Sequence, residues 1–250
     1  MLRSIVPLRI LGVIPARYSS RRFPGKALAP LLGKPVIQHV YERASRAKLL
    51  DRLVIATDDE RIRQVAEGFG AEVRMTRSDH PSGTDRTAEV AAQEAADIVV
   101  NIQGDEPLID PAAIDQAVQA LLDHPLIPMG TLKKKIEDPD EIYNPNVVKV
   151  VTSRHGEALY FSRAPIPYHP SAEAEYFKHI GLYVYRREFL LDYPNLPIGP
   201  LERTERLEQL RALENGYRIY VAETDYESVG VDTPEDLLRI EKLLVGLRNE

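Results

Sequence analysis

The sequence predicts an α/β protein: a three-layer αβα sandwich built on a mostly parallel sheet. Between residues 10 and 75, aliphatic runs of strand length alternate with amphipathic helical stripes, the pattern of right-handed strand–helix–strand crossovers. The run D-I-V-V-N-I-Q-G-D-E-P at 97–107 opens as a strand buried on both faces, as parallel sheets require. It stops at Gln103, Gly104 and Asp105, and Pro107 forbids further strand. Open α/β sheets bind ligands at the C-terminal ends of central strands, which makes Asp105 a candidate metal ligand. The rhythm then breaks, and an antiparallel insert is expected at roughly 132–200.

At 250 residues the chain allows one large domain, or one with a smaller appendage. Hydrophobic content of 44% and charged content of 28% are ordinary for a globular protein. No apolar run approaches a membrane span, so no membrane partner is expected. The start, residues 1–10, is too short and too arginine-interrupted for a signal peptide, so a cytoplasmic location is expected. The absence of cysteine excludes disulfides and thiolate metal sites. A net charge of −6 argues against a nucleic-acid coating surface, although a local basic loop can still grip phosphates.

In chain order, residues 10–15 (I-L-G-V-I-P) form the first expected strand. A basic loop follows with Ala16, Arg17, Ser20, Arg21, Arg22, Gly25 and Lys26. Arginine grips polyphosphate oxygens in pairs and lysine adds a point charge, so a loop of this kind directly after a strand suits a polyphosphate. No Walker A loop and no G-x-G-x-x-G turn is present, which counts against kinase-type and dinucleotide readings. Val36, Ile37, Val40, Ala44 and Ala47 make a helical stripe, and 52–57 a second strand. Asp58 or Asp59 caps a helix over 60–69, Gly70 ends it, and 71–75 is a third strand.

The second polar loop, 77–86 (R-S-D-H-P-S-G-T-D-R), leads into another helix. Ser82 with Asp85 reads as a capping box; with Thr84, the same loop also has the donors to read a base edge. Asp110 and Pro111 start a helix to about 123, and 128–134 is a strand running into the Lys133–Lys134–Lys135 triplet, expected to be solvated like the acidic residues 137–141. Strands at 147–152, 157–161 and 177–186 complete the insert, with a proline-stiffened loop at 162–167. One long helix is expected over 201–215, with Leu207, Leu210 and Leu213 buried and Gly216 as its stop. After a strand at 218–222, Thr233, Pro234 and Asp236 spell out a helix start, leaving Asp232 free of capping duty.

Asp105 and Asp232 thus stand at strand or helix ends in separate halves of the chain. Mg²⁺ favours one or two carboxylates plus substrate phosphate oxygens, although aspartates at helix starts are more often caps or turns. The decisive sign is a collinear set of motifs. It comprises P-A-R-x-x-S-x-R-x-P-G-K from Pro15 to Lys26, A-T-D at 56–58, T-R-x-D-H-x-S-G-T-x-R from Thr76 to Arg86, and Q-G-D-E-P from Gln103. N-P-N-x-V-K-V-V from Asn144, A-L-Y-F-S-R from Ala158, L-E-x-x-E-x-L-E-Q-L-R from Leu201 and G-V-D-T-P-E-D-L from Gly230 continue it. Together these resemble the 3-deoxy-manno-octulosonate (Kdo) cytidylyltransferases over nearly the whole chain. Extra residues before the first strand and the added Arg21 are mild departures.

The resemblance implies a Rossmann-like nucleotidyltransferase sandwich as a single domain over 1–250, its antiparallel insert forming a homodimer. It implies CTP and Kdo as substrates, CMP-Kdo and pyrophosphate as products, Mg²⁺ as cofactor, and a place in lipopolysaccharide biosynthesis. By the same resemblance Lys26, Asp105 and Asp232 are catalytic, and Asp105 and Asp232 hold the metal. Ala16, Arg17, Arg22, Lys26, Arg77, Ser82, Gly83, Thr84, Arg86 and Gln103 would bind the nucleotide. Gln103, Arg163, His179, Tyr183, Glu208 and Gln209 would bind the sugar, Arg163 suiting its carboxylate. Glu202 and Glu205 are read as scaffold for Glu208 and Gln209. Two other readings are a cytidylyltransferase for sialic acid or a related nonulosonate, differing only in the sugar pocket, and a catalytically silent nucleotide-binding module. Lys26, Asp105 and Asp232 speak against the last.

Overall fold

The computed structural model describes residues 7–19, 22–168 and 175–247; Ser20 and Arg21 of the basic loop lie outside them. The strands are β1 (Ile10–Ala16), β2 (Pro30–Leu31), β3 (Lys34–Pro35), β4 (Arg52–Thr57), β5 (Glu72–Met75) and β6 (Ile98–Asn101), then β7 (Met129–Lys135), β8 (Lys149–Thr152), β9 (Ala158–Ser162), β10 (Phe177–Arg186) and β11 (Ile219–Glu223). The helices are α1 (Val36–Ala44), α2 (Glu60–Gly68), α3 (Gly83–Gln93), α4 (Pro111–Leu122), α5 (Pro139–Tyr143), α6 (Arg187–Asp192), α7 (Pro200–Glu205), α8 (Leu210–Glu214) and α9 (Pro234–Leu247).

The main sheet runs β5–β4–β1–β6–β10–β7–β11. Its β4–β5, β1–β4, β1–β6 and β7–β11 pairs are parallel, and β10 alone runs against its neighbours β6 and β7. The sheet is buried on both faces because each central strand offers apolar residues to both sides. In β1, Ile10 and Ile14 face the layer containing Ile37, Ile62 and Val118, while Leu11 and Val13 face Val90, Phe189 and Leu210. This period-two division is what makes three layers from one strand set. Helix α9 closes the C-terminal side, with Val231 and Ile240 packed on Leu31 and Val36.

Helix starts follow local chemistry. Asp59, Ser82 and Asp110 each accept a backbone N–H at the first turn of α2, α3 and α4. At α9, Thr233 and Asp236 cap each other reciprocally, Asp236 N donating to Thr233 Oγ1 at 3.2 Å and Thr233 N to Asp236 Oδ2 at 3.0 Å.

Three expectations change. The strands expected within 132–200 are present, but β7 and β10 are members of the central sheet. Only β8 and β9 stand off that path, reaching it through the Lys178–Lys149 pairing and, just before β9, a Glu157–Tyr220 bridge. The basic triplet is not a solvated face: Lys133 donates to Thr152 Oγ1 at 3.0 Å and covers the Phe177 ring, and Lys134 pairs with Glu227 at 2.9 Å. Lys135, 52% exposed, fits the original expectation.

The helix expected over 201–215 is broken. Arg206 adopts a left-handed conformation at φ 55°, ending α7, and α8 restarts at Leu210. The break lets Glu202 meet Arg211 through Nε–Oε2 at 2.9 Å and Nη2–Oε1 at 2.7 Å. On a straight helix, residues this far apart lie on roughly opposite faces, so the pair cannot form there.

Candidate active site

The C-terminal ends of adjacent parallel strands β1 and β6 open into two loops that nearly touch. A side chain at Gly104 would bring a Cβ to 2.6 Å from the carbonyl oxygen of Pro15, so only glycine permits the approach. The loop after β1 is folded back by Gly25, whose φ of 75° lets its N–H donate to Tyr18 O at 2.8 Å. That turn delivers Lys26 to the first position of a short 3₁₀ helix.

Of the residues singled out for nucleotide and catalysis, Ala16, Arg17, Arg22, Lys26, Ser82, Gly83, Arg86, Gln103, Asp105 and Asp232 line one cleft of about 690 Å³. Two are placed elsewhere. Arg77 turns its side chain, 69% exposed, toward solvent and pairs with Asp79 at 3.1 Å. Thr84 is buried on α3 beneath the cleft, where it accepts from Asn101 Nδ2 at 3.4 Å. Ser19 and His80 also line the cleft, although neither was singled out. His80 is held by a contact to Glu89, whose carboxylate also accepts the Arg77 N–H at 3.1 Å. The signal for His80 in the sequence is its place inside the motif between Asp79 and Ser82.

Asp105 and Asp232 converge. Lys26 Nζ contacts Asp105 Oδ2, lies 3.4 Å from Asp232 Oδ1, and donates to the Val231 carbonyl at 3.0 Å. Arg22 reaches Asp232 Oδ1 at 2.8 Å from the other side. The backbone joins them too, Val231 N donating to Asp105 O at 2.8 Å. Among the described residues no group of three or more His, Cys, Asp or Glu side chains is arranged to cage a metal. Two carboxylates that meet at one lysine beside a cationic wall could hold a hard cation that completes its shell with phosphate oxygens and water.

Arg86 is almost fully buried, contacting the Thr76 hydroxyl and lying 3.2 Å from Asp58 Oδ1. Burial lowers its pKa, and the Asp58 carboxylate opposes that shift.

Five of the residues singled out for sugar form a chain leading away from the cleft. Gln103 Nε2 donates to Gly181 O at 2.9 Å, tying the cleft floor to the middle of β10. On β10, His179 and Tyr183 have ring centres 5.4 Å apart, and the Tyr183 hydroxyl donates to Gln209 Oε1 at 3.3 Å. Ser82 Oγ donates to Glu208 Oε1 at 3.1 Å, closing the path back to the cleft. Gln209 is 3% exposed, and its Nε2 has no hydrogen-bond partner among the described residues. Arg163 stands apart on the insert: its Nε donates to Glu205 O and its Nη1 to Pro145 O, both at 2.8 Å.

Thr131 Oγ1 lies within reach of the Ile180 and Leu182 carbonyls, at 3.0 and 2.8 Å. Its one proton is shared between these two acceptors, so it accepts from His179 Nε2–H at 2.9 Å. Desolvation lowers the His179 pKa to about 3, so the ring is neutral at pH 7 and serves as a hydrogen-bonding group. Burial, helped by Glu208, raises Tyr183, which stays a phenol. Burial also raises Glu208, while the Thr84 and Ser82 hydroxyls pull it back down.

A family model described as cytidylyltransferase matches residues 11–219. The 3-deoxy-manno-octulosonate cytidylyltransferase of Solibacter usitatus (strain Ellin6076) is 67% identical over 240 residues, covering 95% of each chain. The enzyme of that name from Syntrophotalea carbinolica (strain DSM 2380) is 59% identical over 251 residues, covering 96% of this chain and 100% of its own. The solved structure of a CMP:2-keto-3-deoxy-manno-octonic acid synthetase complexed with CTP superposes with a TM-score of 0.92 at 45% identity, covering 95% of this chain and 99% of that one.

Proposed function

Because the chain belongs to the 3-deoxy-manno-octulosonate cytidylyltransferase family, we propose that it transfers CMP from CTP to the anomeric hydroxyl of Kdo. The sugar oxygen attacks the α-phosphorus in line, the bond to the β-phosphate oxygen breaks, pyrophosphate leaves, and the hydroxyl proton is released. Such a displacement is carried mainly by positioning and charge neutralisation. The observation that carries the reading is the meeting of Asp105 and Asp232 at Lys26 in a cleft walled by Arg17, Arg22 and Arg86.

Arg17, Arg22 and Lys26 neutralise the departing pyrophosphate. Ser82, Gly83 and Arg86, at the start of α3, face the base and ribose. Asp105 and Asp232 hold Mg²⁺, which when bound polarises the α-phosphate and favours ionisation of the sugar hydroxyl. Kdo lies along Gln103, His179, Tyr183, Glu208 and Gln209, with Arg163 toward its carboxylate. The unpartnered Gln209 Nε2 supports this, since a buried donor without an acceptor is costly until a ligand supplies one. The product is an activated sugar for lipopolysaccharide, made in the cytoplasm by a homodimer joined through the insert. Tyr143 and Leu159, large and exposed on α5 and β9, support that interface.

The test is pyrophosphate release with CTP, Mg²⁺ and Kdo, run in parallel with sialic acid and with each nucleotide alone. Release only with CTP and Kdo is the expected result. Release with sialic acid instead moves the assignment to a nonulosonate enzyme, and CTP binding without release for any acid sugar makes the protein a silent nucleotide-binding module.

A further inference from the structure

A buried carboxylate to which the mechanism gives no duty lies next to the metal-holding pair. Glu106 is 7% exposed, follows Asp105 directly, and is absent from the lining of the cleft. Its Oε1 accepts from Ser228 Oγ at 2.7 Å and its Oε2 from the Tyr226 hydroxyl at 3.0 Å. Neither partner carries a charge. Burial, with Asp105 nearby, raises its pKa to about 7 although the Ser228 hydroxyl opposes the shift. Burying a carboxyl against two hydroxyls is an expensive way to fill space.

The two hydroxyls show what the carboxyl holds. They belong to the stretch 224–232, which leads from β11 to Asp232. Thr224 N donates to Lys133 O at 2.9 Å at one end, and Val231 N to Asp105 O at the other. Between them Tyr226 and Ser228 reach Glu106, while the intervening Glu227 reaches Lys178 at 2.6 Å and Lys134 at 2.9 Å. Glu106 therefore joins the stretch carrying Asp232 to the turn carrying Asp105 by bonds separate from Lys26.

We infer that Glu106 is a positioning residue, fixing the separation of the Asp105 and Asp232 carboxylates and through it their affinity for a divalent cation. The inference rests on the assignment of that pair as the metal-holding residues. Glu106 acts through Tyr226 and Ser228 and touches neither metal nor substrate.

The experiment is calorimetric titration of Mn²⁺ into the full-length protein carrying a non-hydrolysable CTP analogue, with metal-free binding of the analogue as control. Glu106→Ala is expected to weaken Mn²⁺ by about 10-fold, the lower end of what losing a direct partner of a metal ligand costs, because Glu106 acts through Tyr226 and Ser228, and to leave metal-free analogue binding unchanged. Glu106→Gln keeps an acceptor for one hydroxyl and a donor for the other, and retains the parental Mn²⁺ affinity. Tyr226→Phe shows the same loss at smaller amplitude and carries the prediction if Glu106→Ala does not fold. Parental Mn²⁺ affinity in Glu106→Ala, or in Tyr226→Phe where Glu106→Ala does not fold, overturns the inference, as does a Gln variant as weak as the Ala variant. Asp232→Ala separates the two claims. If it binds Mn²⁺ normally, the pair is not the metal site and both fall; if it loses Mn²⁺ while Glu106→Ala does not, only the positioning role falls.

Discussion

Glu202 and Arg211 form a two-point ion pair in a nearly dry pocket, and they meet only because the chain turns left-handed at Arg206 between them. The Glu202 pairing raises the Arg211 pKa. Removing one partner leaves an uncompensated buried charge. Arg211→Leu should therefore cost about 3–5 kcal/mol in urea unfolding, and adding Glu202→Leu should recover most of it. An undiminished midpoint for Arg211→Leu would show the pair to be dispensable.

The same break leaves Glu208 beside Ser82 and Gln209 beside Tyr183, so on the proposed sugar site Gln209→Ala should raise the KM for Kdo while leaving the KM for CTP unchanged. Steady-state kinetics with each substrate varied in turn would check this, and a change in both constants would remove Gln209 from the sugar subsite.

Asp105→Ala and Asp232→Ala should each lower turnover by several orders of magnitude with unchanged circular dichroism. Lys26→Ala should lower kcat at saturating CTP by about 10²–10³-fold, the scale of losing one preorganised charge stabiliser. Near-native turnover in any one variant removes that residue from the site.

Gly104→Ala tests the close approach of the loops after β1 and β6. The added Cβ meets backbone, which cannot rotate away as a side chain can. A stability loss of about 1–3 kcal/mol is expected, with a larger fall in activity because Asp105 is the next residue. Parental values in both assays would show that the two loops separate freely.

His179 sets a pH dependence. Its pKa falls from 6.5 unfolded to about 3 folded, so between these values the unfolded chain binds more protons. Its contribution to stability is present above pH 6.5 and is lost progressively toward pH 3, by at most about 1.4 kcal/mol per pH unit. Calorimetric melting temperatures should fall less steeply on acidification for His179→Gln than for the parent protein. Parallel curves would place the imidazole in water.

The interface proposed for the insert predicts a dimer by sedimentation equilibrium. Leu159→Glu, at a side chain that is 63% exposed in the single chain, should yield a folded monomer; an unshifted mass would place the interface elsewhere.

What could be read from sequence was local. The caps are set within three residues: Ser82, Asp110 and Thr233 are found as expected, and of Asp58 and Asp59 it is Asp59 that caps α2. The alternation of strands and helices, being periodic, was equally legible. The break at Arg206 was not, because the leucine stripe runs through it and no glycine marks the left-handed residue. The roles of Lys133 and Lys134 were hidden for another reason: what surrounds them, Phe177 and Glu227, comes from distant segments. Glu106 is a further case, its two hydroxyl partners lying 120 and 122 residues away. The meeting of Asp105 and Asp232 came from family resemblance, since spacing alone left each as a plausible cap.

Strand β10 has a mechanical consequence. Its C-terminal half is laced between β6 and β7, and its N-terminal half still pairs with β7 while touching the insert. Tyr183 therefore stands where β10 is paired on both sides, while His179 lies beyond a register shift and pairs with Lys133 of β7. On the proposed sugar site, the floor under the acceptor is therefore sheet, while Ser82, Glu208 and Gln209 reach it from helix ends.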